Sequence, residues 1–334
     1  MLRAVEVGEP TGPRPVILRH HEIPLPPGSV LGGEVRNIEQ VSDALRLLWS
    51  EAGFKTKKVV LGMGNQRVLV RELAMPKMPL ERIREALPFQ VQELLPVPVA
   101  DALLDFYPIA EGESDGSEVI NGLLVAAVRG AVEANVDAVV KAGLDPVAVD
   151  LIPFALTRVL LPVGDDSHTA LVHIGATTTC VVFVANGIPQ FVRIIPAGGD
   201  DVTRALVTRF DVDALTADEM KRNLGLEGRV KQKDKGAVEA MFEVTGELLT
   251  SLRNTFAFYL NTRSVDALDR VVLSGGGARL DGLAKALGEV SRLRIDVIDP
   301  ASTFTLADTV DAAAFSDSRG DYAVALGLTL GSAA

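Results

Sequence analysis

The feature that most constrains the fold of this chain is the stretch LVHIGATTTCVVFVANG, residues 171–187. Apolar and β-branched residues stand on both sides of a short polar turn, which predicts two strands joined as a hairpin. The turn contains Gly175 and three consecutive threonines. Backbone N–H groups and hydroxyls in such a turn are suited to surround a phosphate. An ordinary hairpin loop without a ligand has the same composition, so the turn alone decides nothing.

A second glycine-rich stretch, VVLSGGGARLDGL, spans residues 271–283. A β-branched strand leads into three glycines, and a helix is predicted to open at Ala278. Glycine lets the backbone approach a flat ligand closely, and a helix N-terminus favours an anion. A tight turn with no ligand is at least as common at such places. The spacing is not G-x-G-x-x-G, which disfavours a dinucleotide-binding fingerprint.

Two further signals lie between these stretches. Gly198 and Gly199 precede a predicted helix, where one of the two following aspartates could act simply as the N-cap. Asp218 and Lys221 are three residues apart on another predicted helix, a spacing that usually gives a solvent-exposed ion pair. Each signal is weak by itself, and their order along the chain carries the information.

In that order, two strand hairpins, a Gly-Gly helix start, an Asp-x-x-Lys helix and a triple-glycine loop resemble the actin-like ATPase superfamily. The resemblance implies an α/β fold of two related ribonuclease-H-like domains that clamp a nucleotide. The first hairpin would be VEVGEPTGPRPVIL, residues 5–18, and the second HIGATTTCVVFV, residues 173–184. The nucleotide-binding residues that the resemblance implies are Glu6, Gly8, Gly175, Ala176, Thr177, Thr178, Gly198, Gly199, Asp218, Lys221, Gly275, Gly276, Gly277 and Arg279.

Three longer segments resemble the PilM family of type IV pilus, or related type II secretion, assembly: MPLERIREALPFQVQELLPVPVADALLDFYPI, LLVAAVRGAVEANVDAVVKAGLDPVAVDLIPFALTRVL and DYAVALGLTLG. That family carries a small α+β domain, of the SHS2 (1C) type, inserted in the actin-like fold. The resemblance implies domain IA at 1–75, 151–163 and 320–334, the inserted domain at 76–150, domain IIA at 164–199 and 265–319, and helical subdomain IIB at 200–264.

Two alternatives use the same fold. The cell-division protein FtsA also has an inserted domain, but it typically ends in a basic amphipathic membrane helix. This chain ends LGLTLGSAA, which disfavours the division role. An active ATPase or small-molecule kinase is the other alternative. A kinase needs an acidic base facing its substrate, and Asp150 and Asp200 are the candidates.

The expected metal-binding acids depart from the superfamily pattern. Both hairpins of that superfamily usually present an aspartate, as D-x-G, that holds Mg²⁺ through water. The matching positions here are Glu6, one methylene longer, and His173. A histidine nitrogen does not replace the hard oxygen ligand that Mg²⁺ prefers. Because histidine is mostly neutral at pH 7, it does not supply the negative charge of the aspartate either. We therefore expect ATP and Mg²⁺ binding to be weak or absent, and we predict no catalytic residue and no metal ligand.

Composition limits the partners. The net charge of −11 disfavours nonspecific binding to nucleic acid or anionic membranes, and the single cysteine, Cys180, argues against a disulfide framework. No apolar run approaches the ~18 residues that span a bilayer, and the start of the chain lacks a signal-peptide pattern. We expect a cytoplasmic protein without membrane insertion. The family resemblance implies peripheral recruitment to the inner membrane by the N-terminal cytoplasmic tail of a PilN-like protein; the oligomeric state stays open.

The predicted contacts for that tail lie in the inserted domain, on a helix that Pro79 opens. One apolar stripe of this helix is expected to face the domain's own sheet. Phe89 and Leu95 fall off the stripe and are predicted to contact the peptide, since an extended peptide gains specificity from side-chain pockets. The acidic segment 110–118 is predicted to be a loop. The stripe consists of Ile83, Leu87, Val91 and Leu94.

Overall fold

The structure is a computed structural model in which the chain forms two compact units. It describes residues 1–114, 116–162, 164–226, 231–263 and 267–331. Unit 1 contains residues 1–163, 187–192 and 300–334, and unit 2 contains residues 164–186 and 193–299.

The secondary structure alternates strands and helices along the chain. The strands are β1 Leu2–Gly8, β2 Val16–Ile23, β3 Val30–Leu31, β4 Glu34–Val35, β5 Lys58–Met63, β6 Val68–Pro76, β7 Ala102–Ser114, β8 Ser117–Val128, β9 Asp145–Leu151, β10 His168–Ile174, β11 Thr179–Ala185, β12 Ile188–Ile195, β13 Arg270–Ser274, β14 Arg294–Val297 and β15 Thr305–Leu306. The helices are α1 Ile38–Ala52, α2 Leu80–Gln90, α3 Arg129–Lys141, α4 Ile152–Leu160, α5 Gly199–Phe210, α6 Ala214–Leu224, α7 Lys235–Arg263, α8 Leu283–Ser291, α9 Ala312–Ser318 and α10 Ala323–Gly331.

Two of the sheets in unit 1 share one supporting helix. β1 pairs antiparallel with β2, and β15 returns from later in the chain to pair parallel with β2. β5 and β9 form a second, parallel pair. Helix α10 packs against α4 and against both β1 and β5. The two ladders therefore lie against the same helix although they are not hydrogen-bonded to each other.

Helix α1 shows how the local sequence sets the ends of an element. The Asn37 side chain accepts a hydrogen bond from the N–H of Gln40 and caps the start. Gly53 ends the helix in the left-handed conformation, with φ of 63°. Val41 and Leu45, at helical spacing, are buried in a cluster with residues of α3. The caps fix the length of α1, and the apolar stripe fixes the face that packs.

The inserted part of unit 1 is a three-stranded antiparallel sheet, β6–β8–β7, with α2 packed against it. The predicted apolar stripe of α2 faces this sheet, as expected. The prediction of a loop at 110–118 is wrong, because β7 and β8 stay paired as far as Ser114 and Ser117. A hairpin ribbon satisfies its backbone groups across the ladder while its polar side chains remain in water. The core residues are Met75, Ile83, Leu87, Val91, Phe106 and Leu124.

Strand pairing differs from the grouping expected from the sequence. β6, placed largely in the first domain by the predicted boundary at residue 75, pairs with β8 over its whole length. β9 and α3, placed in the inserted domain, instead join β5 and α1. The partner of a strand is decided by contacts remote in sequence, which a local pattern does not encode. The predicted domain boundaries themselves stay a prediction.

The strands of unit 2 belong to a five-stranded sheet of order β12–β11–β10–β13–β14. β10 is antiparallel to β11 and parallel to β13, and β13 is parallel to β14. Val181, Val182 and Phe183 of β11 are 0% exposed, as expected for a strand covered on both faces. The Phe183 ring stacks on Tyr259 of α7 with centroids 4.0 Å apart. The end of β10 is the point from which the candidate site is built.

Candidate functional site

Two glycine-containing segments of unit 2 meet beyond the end of β10. The Gly175 N–H donates to the carbonyl of Thr178 at 2.9 Å and closes the turn between β10 and β11. The N–H groups of Gly199 and Asp200, at the start of α5, donate to the carbonyls of Gly175 and Ala176 at 2.9 and 2.8 Å. The threonine turn and the first turn of α5 are therefore held together by backbone hydrogen bonds.

The start of α5 has no room for a side chain at Gly198. A Cβ there would lie 2.6 Å from the carbonyl oxygen of Gly175 and 2.5 Å from that of Ala176. The N-cap residue is Gly198, and the Asp201 carboxylate accepts its N–H at 2.7 Å, so Asp201 caps the helix from its third position and is not the N-cap residue itself. Since the first N–H groups of α5 donate within the protein, this helix start is not an open anion site.

The triple-glycine segment packs against the last residue of β10. Gly275 has φ of +93°, and a Cβ there would lie 2.4 Å from the carbonyl oxygen of Ile174. A Cβ on Gly277 would lie 2.4 Å from the Ile174 side chain. A short 3-10 turn, Gly276–Arg279, follows, and α8 begins only after it, so the prediction of a helix opening at Ala278 is wrong. These glycines permit close backbone packing at the edge of the site.

Lys221 of α6 joins the site at the start of α5. Its Nζ lies 2.6 Å from the Asp218 carboxylate, 2.8 Å from the Thr203 hydroxyl and 3.4 Å from the carbonyl of Gly199. The Lys221 side chain is 17% exposed, so this is not the solvent-exposed pair that its spacing suggests. Burial would raise the pKa of Asp218, but hydrogen bonds and charge from Lys221 and Arg222 outweigh it and hold that pKa below its usual value.

His173 occupies the position where the superfamily pattern has an aspartate. It lies between Cys180 of β11 and Ser274 of β13, and its Nδ1 is 2.9 Å from the Ser274 hydroxyl oxygen. The resemblance places Ser274 at the start of the triple-glycine loop, but the sequence does not predict its contact with His173. Within the described ranges, no group of three or more His, Cys, Asp or Glu side chains is placed to hold a metal ion.

Unit 2 brings its predicted residues together around the end of β10. Two hydroxyls that lie there are not among the predicted binding residues. Thr203 bonds Lys221, and the buried Thr179 donates to the carbonyl of Ala197 at 2.7 Å. The spacing of Thr203, one helical turn after Gly199, was the available signal. The exposed predicted residues are Ala176, Thr177, Gly276 and Arg279, and Thr178 is half-buried.

Glu6 and Gly8 lie in unit 1, on β1. The Glu6 carboxylate is 2.7 Å from the guanidinium of Arg19, its cross-strand neighbour. It also accepts the N–H groups of Lys55 and Thr56 at 3.2–3.4 Å, and its side chain is 10% exposed. Glu6 thus joins β1, β2 and the segment before β5. The assignment of Glu6 to the nucleotide site stays a prediction.

The two acids considered as a kinase base are used otherwise. Asp150 forms an ion pair with Arg158 and accepts the N–H of Leu151. Asp200 is exposed in the first turn of α5. Neither position supplies a base directed at a substrate, so the kinase alternative gains no support from the structure.

The two predicted peptide contacts have different surroundings. Phe89 on α2 is 79% exposed. Leu95 is half-buried and packs against the core of the insert, which leaves less of its side chain for a partner, and its role as a peptide contact stays a prediction. The helix ends at Gln90 and a 3-10 turn, Gln92–Leu94, redirects the chain. The helical spacing that places Leu95 off the stripe therefore does not apply to it.

The chain forms two α/β units, and in unit 2 the glycine-containing segments meet at the end of the central strand β10. This arrangement is that of an actin-like protein. The structure of MreB5 of Spiroplasma citri bound to AMPPNP is similar, with a TM-score of 0.51 at 13% identity. The match covers 89% of this chain and 76% of the MreB5 chain. The ethanolamine utilization protein EutJ of Carboxydothermus hydrogenoformans matches 99% of this chain and 90% of its own, with a TM-score of 0.50 at 14% identity. The predicted actin-like fold is confirmed.

The chain belongs to the family of the type IV pilus assembly protein PilM, whose model matches residues 1–333. A solved chain of the PilM-PilN type IV pilus biogenesis complex is 29% identical, with a TM-score of 0.85 over 98% of this chain and 94% of that one. FtsA of Bacillus subtilis is 20% identical over 314 residues, 80% of this chain and 70% of FtsA. The PilM resemblance is confirmed. None of the helices in the described ranges has the length and apolarity that a bilayer crossing requires.

Proposed function

We propose that this chain is a scaffold of a type IV pilus assembly complex at the inner membrane, which it joins by binding the cytoplasmic tail of a PilN-like membrane protein. The observation that carries the proposal is the 0.85 TM-score, over nearly the whole of both chains, with a protein of a PilM–PilN complex. The net charge of −11 disfavours direct attraction to anionic lipid, so a protein contact is the better means of recruitment.

Phe89 is the residue on which we place the peptide contact. Its ring is 79% exposed, while its neighbours Leu87 and Val91 on the same segment are 0% exposed in the insert core. Aromatic side chains supply large contact areas and are enriched among the residues that dominate binding energy. Exposed Glu85 and Glu93 lie nearby in the chain and complement basic residues of a cytoplasmic tail. An apolar ring with acidic neighbours suits a basic peptide with an apolar residue.

Phe89→Ala should weaken binding of a synthetic peptide of that tail by roughly 1–3 kcal/mol, because the truncation removes the aromatic ring that the bound peptide would cover. Isothermal titration calorimetry measures the change. Since the ring is 79% exposed in the free protein, the thermal unfolding of the variant should match that of the unaltered chain.

Phe242→Ala is the matched control, since Phe242 is also an exposed phenylalanine on a helix, 50% exposed, but in unit 2. It should leave the peptide affinity unchanged. Absence of any binding to the unaltered protein would remove the recruitment proposal. Full-strength binding by a folded Phe89→Ala protein would remove only the choice of residue.

We also propose that unit 2 binds ATP and Mg²⁺ weakly or not at all. Two features support this. The N–H groups of Gly199 and Asp200 at the start of α5 already donate to the carbonyls of Gly175 and Ala176, and the N–H of Gly198 before them donates to the Asp201 carboxylate. The imidazole of His173 offers Mg²⁺ no carboxylate oxygen, and Mg²⁺ prefers oxygen ligands. The scaffold role therefore needs no nucleotide turnover.

His173→Asp should raise the Mg²⁺-dependent affinity for ATP, because it restores a carboxylate beside Ser274 without changing the glycine segments. His173→Asn is the control, equal in shape to aspartate but neutral, and it should give no gain. Calorimetry with ATP, in the presence and absence of Mg²⁺, measures the affinity of both variants. Micromolar affinity with steady phosphate release by the unaltered protein would contradict the proposal.

A further inference from the structure

A segment that returns to unit 1 late in the chain lies along β2. Unit 1 resumes at Pro300, and β15 then pairs with β2 over two residues. Beyond β15, the Thr309 hydroxyl donates to the carbonyl of Leu18 at 3.3 Å. Helix α9 follows before the chain reaches α10. We call residues 305–318 the strap, because they cover the edge of β2 that faces away from β1.

One aromatic side chain anchors the helix of the strap. Phe315 is 2% exposed, whereas residues 312–314 and Ser316 of the same helix are exposed. The centroid of the Phe315 ring lies 4.7 Å from that of His20 on β2 and 5.8 Å from that of Tyr322, which precedes α10. Tyr322 is 1% exposed and meets the His20 ring edge-on at 5.1 Å. Three packed rings therefore join the strap to β2 and to the start of α10.

The His20 ring has one nitrogen on its buried side. Nδ1 is shielded from solvent, and no group in the described ranges forms a hydrogen bond with it. A neutral imidazole accommodates this position, because Nδ1 is then a bare acceptor and the proton lies on Nε2. A protonated ring would place an N–H donor at Nδ1 and a charge between two aromatic rings, and both would lose hydration that the protein does not replace. The attached strap therefore requires the neutral ring.

The charged groups around the three rings do not reverse this preference. Burial lowers the pKa of His20, the neighbouring His21 lowers it further, and Glu22 raises it to a smaller extent. The Glu22 carboxylate lies 2.6 Å from the guanidinium of Arg3 on β1, and the same guanidinium lies 3.8 Å from Asp321, next to the Tyr322 ring. The nearest carboxylate is therefore already paired with a cation on the neighbouring strand.

We propose that the strap is an acid-released device, in which protonation of His20 detaches residues 305–318 and exposes the edge of β2. Release places the imidazole in water, where its pKa is ~6.5, whereas the attached strap lowers that pKa. Release therefore increases as the pH falls below ~6.5, by at most about tenfold per pH unit for one proton. Since a free strand edge is a template for a further strand, acid would open a pairing surface that the strap covers at neutral pH.

Amide hydrogen exchange tests the strap in the 334-residue protein. The N–H groups of Thr305, Ala307 and Phe315 are hydrogen-bonded, so their protection reports the attached strap. After correction for the intrinsic exchange rate at each pH, this protection should fall about tenfold between about pH 7.5 and about pH 5.5. Carboxylates titrate near pH ~4, outside this interval. Exchange in β6–β8, the internal reference, should not change. His20→Phe keeps an aromatic ring without a titrating group and should remove the pH dependence.

His21→Gln is the matched control. The Nε2 of His21 lies 3.0 Å from the Glu51 carboxylate of α1, outside the three packed rings, so this variant should keep the pH dependence of the strap. Equal protection of the strap at the two pH values in the unaltered chain overturns the proposal, and so does a pH dependence that persists in a folded His20→Phe protein. NMR titration of the unaltered chain gives a second measurement that needs no variant. His20 should titrate below ~6.5, and titration at ~6.5 with the strap still protected overturns the proposal.

Discussion

Phe183→Ala should destabilise unit 2 by roughly 3–5 kcal/mol, the range for removing a fully buried aromatic ring. Phe183 is 0% exposed in β11. Its ring stacks on Tyr259 at 4.0 Å and meets Phe256 edge-on at 5.8 Å, both on α7. Alanine removes the ring from between the sheet and the long helix. The strands cannot close the resulting cavity without breaking their ladders, so both the transfer energy and the packing energy are lost.

Amide hydrogen exchange in the β11 segment measures this loss of stability at the site of the substitution. Exchange in β6–β8 of unit 1 serves as an internal reference. We expect faster exchange in β11 and no change in the reference. Phe242→Ala is the control, since Phe242 is 50% exposed on the same helix, α7. Its cost should stay within about 1 kcal/mol. If β11 exchanged equally in both variants, the packing of Phe183 between sheet and helix would be contradicted.

The sequence predicts those parts of the fold whose physical cause lies in neighbouring residues. The threonine turn between β10 and β11 follows from a glycine between two β-branched runs. The start of α5 follows from Gly198 and Asp201, which caps it. The face of α2 follows from the spacing of Ile83 and Leu87, both 0% exposed. In each case a few consecutive residues contain the whole physical cause. The order of such segments was enough to identify the actin-like class.

The contacts that the sequence does not predict are those whose cause lies far away in the chain or beyond the end of a regular element. β6 pairs with β8, and β9 with β5, because of long-range packing that no local pattern contains. Glu6 is bound by Arg19 and by the backbone before β5, contacts that the local pattern of the first hairpin does not predict. Leu95 was placed by a helical spacing that ends five residues earlier. Nucleotide-site residues and ordinary structural residues share composition here, and only their contacts distinguish them.

The other large effect is expected at Gly275, where alanine should destabilise unit 2 by roughly 2–5 kcal/mol. Two causes add. The backbone has φ of +93°, which an L-residue with a Cβ rarely adopts, and the new Cβ would lie 2.4 Å from the carbonyl oxygen of Ile174. That oxygen is backbone of the buried β10 and cannot rotate away. Urea unfolding and exchange of the β10 segment measure the change.

Gly246→Ala provides the opposite control. Gly246 lies inside α7, and a Cβ there meets nothing within 4 Å. Alanine should therefore leave stability unchanged or raise it by up to about 1 kcal/mol, its usual advantage over glycine in a helix. Comparing the two variants separates the general effect of replacing glycine by alanine on stability from the cost of the close contact at Gly275. Equal stability of the two variants would show that the Gly275 segment does not pack on the end of β10. A selective loss in Gly275→Ala would show that close packing on the end of β10 is enough to require glycine at position 275, without a bound nucleotide.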